Sequence, residues 1–317
     1  MIEVVVVGSL TMDLTAGADR LPEAGETLLG TEFAMVPGGK GNNQAIACAR
    51  QGVATAMVGR IGGDAFGEQV LARLRADGVD ATGVERDPRL ATGIAHIRVD
   101  SSGQNSIIMV PIANFALDPQ AVQRLAGLLT SARVLLTQLE IRIDATREAL
   151  RLARCHGVMT ILNPAPAAVL DDALLSEVDV CVPNEVEAAA LTGESTDTLA
   201  GAVRAALKLR DRGCGAVIVT LGDRGSVYVD AHRVLAVAPI SVRTVDTVAA
   251  GDAYCGALAA SFARGRSVDE SLVRASAAGA LATTLPGATS SLPTAAAVDS
   301  LLHEAGKPVI RALDSAG

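Results

Sequence analysis

At 317 residues the chain is long enough for one large domain or two small ones, and it can bury a core without disulfide or metal staples. Half of it is hydrophobic (50%), yet it holds only 4 Phe, 2 Tyr and no Trp, so Ala, Val, Leu and Ile must fill that core. A net charge of -8 argues against a nucleic-acid coat or an anionic membrane as partner and leaves a small molecule as the expected one. Five scattered cysteines (Cys48, Cys155, Cys181, Cys214 and Cys255) with no CxxC pair argue against a disulfide framework or a zinc knuckle.

The chain opens MIEVVVVGSL, with Glu3 where a secretory signal carries Lys or Arg and an apolar run that stops at Gly8, which reads as a first β-strand. No later stretch approaches about 18 uninterrupted apolar residues, so a cytoplasmic protein is expected. GSLTMD (Gly8 to Asp13) follows that strand directly. A carboxylate there lies at the edge where open α/β sheets hold ligands, and Asp13 can accept two hydrogen bonds from vicinal hydroxyls. Pieces of alternating polarity at 27–36, 92–99 and 105–110 predict an inserted β element, the last two joined by the turn-forming Asp100 to Gly103; it is either a lid or an edge hairpin of the main sheet. MVPGGKGNNQA (Met35 to Ala45) leads into a helical pattern from Gly41. Its Gly-Lys pair is not a P-loop, because the preceding glycine is missing and Gly41 replaces Ser or Thr. Gly38 and Gly39 let backbone approach a ligand while Lys40, Asn42 and Asn43 offer donors to a polyol; a Gly-rich turn capped by Asn is the structural alternative.

From Val134 onward short apolar runs alternate with amphipathic ones. VLLTQ (134–138), MTILN (159–163), VDVCVP (178–183) and AVIVTL (216–221) read as strands, and Leu199, Val203, Ala206 and Leu207 form one stripe of a helix over 198–212. That alternation predicts an α/β fold with a mostly parallel sheet flanked by helices. QLE, NPAPA and PNEVE then place Glu140, Asn163, Asn184 and Glu187 at strand carboxyl ends. Asn184 and Glu187 share a face of a first helical turn and could hold a magnesium ion by its waters, although a capping-box acid also accounts for Glu187. In TLGDRG, Gly222 and Gly225 would admit a nucleotide's phosphates or ribose, or simply make a turn.

The sharpest signal is VDTVAAGDAYCGALAASFARG (Val245 to Gly265). Ala249, Ala250 and Gly251 precede Asp252 and a helix, so backbone N–H groups converge on a helix N-terminus with nothing bulky before them: an anion pocket. Asp252 at that positive end could accept the proton of a hydroxyl attacking a phosphate held by the amides, an arrangement suited to phosphoryl transfer. Taken alone, an Asp at a helix start is more often an N-cap.

GSLTMD, PGGKGNNQA, QLE, NPAPA, PNEVEAAALTG, TLGDRG, VDTVAAGD and GATSSLP occur in this order along nearly the whole chain, which thereby resembles the ribokinase family of ATP-dependent sugar kinases. The resemblance implies one kinase domain over 1–317 with a small β-sheet lid from segments within about 10–38 and 90–112, dimerisation through the lids, and ATP-dependent phosphorylation of D-ribose at its 5-hydroxyl. It implies Asp252 as catalytic base, with Ala249, Ala250 and Gly251 as anion hole. Thr11, Asp13, Gly39, Lys40, Asn43 and Glu140 would surround the sugar, Asn184, Thr220, Gly222 and Gly225 the nucleotide, and Glu187 would bind magnesium through water. A monovalent cation, usually potassium, is implied between two loops, at Asp246 and Val248 and at Gly287 and Ser291. The family pattern has Asn two residues before the sugar-clamping Asp, where this chain has Thr11, so one hydrogen bond to the sugar is lost or redirected. Kinases for 2-deoxyribose, fructose or adenosine are the related alternatives; with only Phe33 and Phe115 near the lid, stacking of a nucleoside base is disfavoured. A non-catalytic sugar-binding protein is the rival of a different class, but a binder has no need of a base beside an anion pocket.

Overall fold

Val4–Val7 is the centre from which the architecture follows. Alternate residues of a strand point to opposite faces, and here Val4 and Val6 join one apolar core while Val5 and Val7 join another, so both faces of the sheet must be covered. The structure, a computed structural model, describes residues 1–313. Its large sheet has 10 strands in the order Ile310–Ala312, Val234–Val237, Ser226–Val229, Ala216–Thr220, Val180–Cys181, Met159–Leu162, Val134–Thr137, Val4–Val7, Thr55–Gly62 and Asp80–Asp87. Pairings from Asp80–Asp87 across to Ala216–Thr220 are parallel, and the remaining strands at the other edge are antiparallel. Helices Lys40–Arg50, Ala65–Ala76, Ala250–Ala263 and Val268–Ala282 cover the face of Val4 and Val6; Ile143–Cys155 and Leu199–Asp211 cover the other.

The shortage of aromatics is met as expected: the largest fully buried side chains are Leu, Ile and Met. Small residues then let helices approach closely. A Cβ on Gly256 would fall 2.4 Å from Ala47 Cβ, so helix Ala250–Ala263 lies directly on helix Lys40–Arg50, and Cys48 Sγ donates to Gly256 O (3.5 Å) across the contact. These two helices carry Lys40, Asn43, Gln44 and Asp252 of the site described below.

A separate sheet of 4 strands has the order Glu32–Gly38, Thr11–Gly17, Gly93–Val99 and Asn105–Val110, so the inserted β element is not an edge hairpin of the main sheet. One local expectation needs correcting: the piece expected at 27–36 is extended only from Glu32. GSLTMD enters the small sheet at Thr11, within the 10–38 span expected to feed the lid, and its pairing sets Thr11 against Gly38 and Gly93. Thr55–Gly62 and Asp80–Asp87 were not signalled; the latter, DATGVERD, is charged as an exposed sheet edge tends to be.

Candidate active site

Helix Ala250–Ala263 starts from Ala249, whose φ of 60° is uncommon for a residue with a Cβ. Ala249 occupies the cap position, so Asp252 is not the N-cap; its side chain is used elsewhere. Asp252 is 6% exposed, and its two oxygens accept from adjacent residues of one helix, Oδ2 from Asn43 Nδ2 (3.0 Å) and Oδ1 from Gln44 Nε2 (2.9 Å). A Cβ on Gly251 would meet nothing within 4 Å, so the space before the helix entrance is open. A cavity of ≈ 180 Å³ occupies it, lined among others by Ala249, Gly251, Asp252, Lys40, Asn184, Glu187 and Thr220. Residues from four separate motifs therefore meet in one place.

On the small-sheet side, Thr11 and Asp13 point the same way from Thr11–Gly17, and Thr11 Oγ1 donates to Asp13 Oδ1 (2.9 Å). The carboxylate occupies the position a Cβ on Gly38 would take, 2.1 Å from Oδ2, which is why the paired strand has glycine there. Burial pushes the Asp13 pKa up to about 6; the Thr11 hydrogen bond works against this, and the charges of Glu140 and Asp252 add to it. Glu140 Oε2 accepts from Ser9 Oγ (2.5 Å) and from the Lys40 backbone N–H (2.9 Å), so it caps the start of helix Lys40–Arg50. Gly39 holds φ 93° at that start, with Ser9 O 3.0 Å from where its Cβ would sit. Burial raises the Glu140 pKa against the opposing charge of Lys40. Burial alone would discharge Lys40, but Asp252, Glu140 and Glu187 together outweigh it and hold its pKa above the usual value. One ammonium thus balances a cluster of carboxylates.

Asn184 and Glu187 form a capping box: Glu187 N–H donates to Asn184 Oδ1 (2.8 Å) and Asn184 N–H to Glu187 Oε2 (2.9 Å). The simpler account of Glu187 is therefore realised, and the same side chain lines the cavity, its pKa raised by burial. Among the described residues no group of three or more His, Cys, Asp or Glu could cage a metal. One carboxylate beside a phosphate-sized space fits a magnesium ion that keeps its waters and is held chiefly by phosphate. Thr220 ends its strand beside Asn184, with its N–H on Pro183 O (3.0 Å). Gly222 and Gly225 flank a single 3₁₀ turn and are not among the residues lining the cavity; at Gly225, φ 86°, a Cβ would strike Val237 O at 2.1 Å.

The two loops expected to hold a cation are joined. Asp246 Oδ1 accepts from Val248 N–H (3.0 Å) and Oδ2 from Gly287 N–H (2.8 Å), while Arg50 Nη1 grips Thr289 O (2.8 Å) and Leu292 O (2.6 Å) from behind. The Asp246 carboxylate is thus held by amides of both loops, and Ser291 Oγ donates to Ala288 O (2.9 Å) within the second. Asn43, expected at the sugar, gives its amide to Asp252, and Gln44 beside it was not singled out by the sequence. The available signal was a run of three amides, Asn42 to Gln44, entering an apolar helix, where all three are buried.

A carboxylate at the mouth of an open helix N-terminus, set between a polyol-sized cluster of acceptors and a phosphate-sized space, defines a phosphotransferase that acts on a hydroxyl. The family model that matches is that of the pfkB family carbohydrate kinases, over residues 1–295, and the chain belongs to that family. It is 39% identical over 295 residues to a ribokinase of Mus musculus, covering 92% of this chain and 91% of the other, and 33% identical to a deoxyribokinase of Salmonella typhi, covering 92% and 96%. Among solved structures, an Arabidopsis thaliana ribokinase complexed with ribose and ATP superposes with a TM-score of 0.90 at 33% identity, covering 95% of this chain and 99% of that one. The protein is a carbohydrate kinase with the α/β fold of ribokinases. No helix among the described residues is long and apolar enough to cross a membrane.

Proposed function

We propose that this protein transfers the terminal phosphoryl group of ATP to the 5-hydroxyl of D-ribose, giving D-ribose 5-phosphate. The observation that carries the reading is the position of Asp252: in one cavity with Lys40, Glu187 and Asn184, in front of the open helix entrance at Gly251, and close enough to Asp13 and Glu140 to feel their charge. Asp13, Glu140 and the glycine turn at Gly39 hold the sugar through its hydroxyls. Asp252 takes the proton of the attacking hydroxyl, while the amides at Ala249, Ala250 and Gly251 and the Lys40 ammonium stabilise charge on the transferring phosphate. Asn184 and Thr220 border the nucleotide. Glu187 holds magnesium through its waters, and that ion, when bound, neutralises charge on the phosphates. Asp246, Val248, Gly287 and Ser291 would hold potassium between their loops, where it would fix the loop that presents the amides.

The face of the small sheet opposite Asp13 exposes Phe33 (65%), Met35, Ile108 and Val110, an apolar patch that supports a homodimer through the lids.

A second reading, 2-deoxyribose as the preferred sugar, is favoured by one observation: Thr11 spends its only donor on Asp13. The deciding experiment is ATP-dependent phosphorylation of ribose, 2-deoxyribose, fructose and adenosine by the wild type and Thr11→Asn. Ribose should have the highest kcat/KM, and Thr11→Asn should raise the preference for ribose over 2-deoxyribose; a wild type that favours 2-deoxyribose decides for the second reading.

A further inference from the structure

We propose that Gln44 is a positioning residue for the base: it fixes the direction of the Asp252 carboxylate, and its own amide is oriented by Gln138 and Asn163. The inference rests on the reading of Asp252 as the base. Gln44 is fully buried and uses every polar position it has. Its Nε2 donates to Asp252 Oδ1 (2.9 Å) and to Asn163 Oδ1 (3.1 Å), and its Oε1 accepts from Gln138 Nε2 (2.5 Å). An inverted amide would set oxygen against two acceptors and nitrogen against a donor, so three hydrogen bonds hold one orientation. Asn163 is itself oriented by donating Nδ2 to Val182 O (2.9 Å). Gln138 follows strand Val134–Thr137 and Asn163 follows Met159–Leu162, so the chain of amides ties the base to the carboxyl edge of the parallel sheet. Space is reserved for it: a Cβ on Gly8 would fall 2.0 Å from Gln138 Oε1.

Gln44 and Gln138 are both fully buried, so neither has surface to offer a substrate. Asn43 secures one Asp252 oxygen and Gln44 the other, which stops rotation of the carboxylate about its χ2, a soft torsion for Asp. Proton transfer is sensitive to that angle, since misplacements near 1 Å cost about a hundredfold.

The test compares wild type, Gln44→Met, Gln44→Glu, Gln138→Met and Asp252→Asn for kcat across pH, with ribose and ATP affinities measured by calorimetry. Gln44→Met keeps length without donors, and its kcat should fall roughly tenfold to a hundredfold with both affinities within about twofold. Gln138→Met should fall in the same direction by less. Gln44→Glu sets a second carboxyl against Asp252, and like charges favour protonation, so the acid limb of kcat should move up by about one pH unit or more. A merely structural glutamine would not give the split in Gln44→Met, where kcat falls and both affinities hold. Unchanged kcat and an unshifted limb, or turnover that falls only together with binding, would overturn the proposal. Full turnover by Asp252→Asn would instead remove the base itself, and Gln44 with it.

Discussion

Replacing Asp13 by Asn removes a charge that the fold holds at a cost. Burial raises this carboxyl from 3.8 to about 6, despite the Thr11 hydrogen bond. Because the folded value lies above the unfolded one, its contribution to stability is fully present below about pH 4 and is lost as the pH rises through about 6, leaving a penalty of about 3 kcal/mol at neutral pH. The Asn variant should therefore be more stable than the wild type at pH 8, by up to about 3 kcal/mol, and no more stable near pH 4, as read from urea unfolding. Sugar binding should move the other way. Only the ionised form offers both oxygens as acceptors, and a pKa of about 6 makes it about one-tenth populated at pH 5 and about nine-tenths at pH 7, so wild-type ribose affinity should rise about tenfold between them. In Asp13→Asn one sugar hydroxyl loses its acceptor, which costs about 1–3 kcal/mol of affinity, and that step with pH should vanish. A residual limb would belong to Glu140, likewise raised by burial. Calorimetric titration with ribose from pH 5 to 8 decides it: wild-type affinity flat with pH, together with an Asn variant no more stable at pH 8, would refute the reasoning.

Gly251→Val projects methyls into the open space before the helix entrance, and it should cut kcat about a hundredfold or more while leaving the melting temperature within a few degrees; normal turnover would mean that no phosphate sits there. Potassium should raise kcat above sodium or lithium at equal ionic strength, and Asp246→Asn, which weakens the tie to Gly287, should blunt that difference; equal rates in the three salts would remove the cation from the account. Phe33→Asp on the lid should shift the sedimenting species from dimer to monomer without changing the far-UV spectrum, and an unshifted species would free that face of its assigned role.

Five of the seven parallel strands of the large sheet, all but Thr55–Gly62 and Asp80–Asp87, were legible because they are apolar runs separated by helical periods, a pattern that a sheet covered on both faces requires. Val180–Cys181 is the shortest of these, two paired residues within a six-residue run, although its flanks still bond to the neighbouring strands, Val182 N–H to Leu162 O (2.8 Å) and Ala216 N–H to Asp179 O (2.8 Å). Thr11–Gly17 fell within the span expected to feed the lid, but its bounds and partners were hidden: its strand character comes from pairing with Glu32–Gly38 and Gly93–Val99, distant in sequence, and not from a local alternation. In the site, Asp252 stood out because the small residues before it serve no packing need. Asn43 and Gln44 did not reveal their partner, since the contact that employs them spans about two hundred residues and is set by the glycine-mediated approach of two helices. Gly222 and Gly225 carry both readings that the sequence offered: positive φ at each shapes the turn, and a Cβ on Gly222 would meet nothing within 4 Å, which leaves that side open.

The central claim, that Asp252 is the base in phosphoryl transfer to a sugar, is tested most directly by single-turnover phosphorylation of ribose with Asp252→Asn beside the wild type, with ribose and ATP affinities measured on the same samples. The Asn side chain keeps the volume and its single oxygen can accept from Asn43 or from Gln44, one of the two bonds that Asp252 makes, so binding should persist within a few-fold while the chemical step slows by about a hundredfold to ten-thousandfold. A variant that binds both substrates and phosphorylates ribose at the wild-type rate would contradict the account.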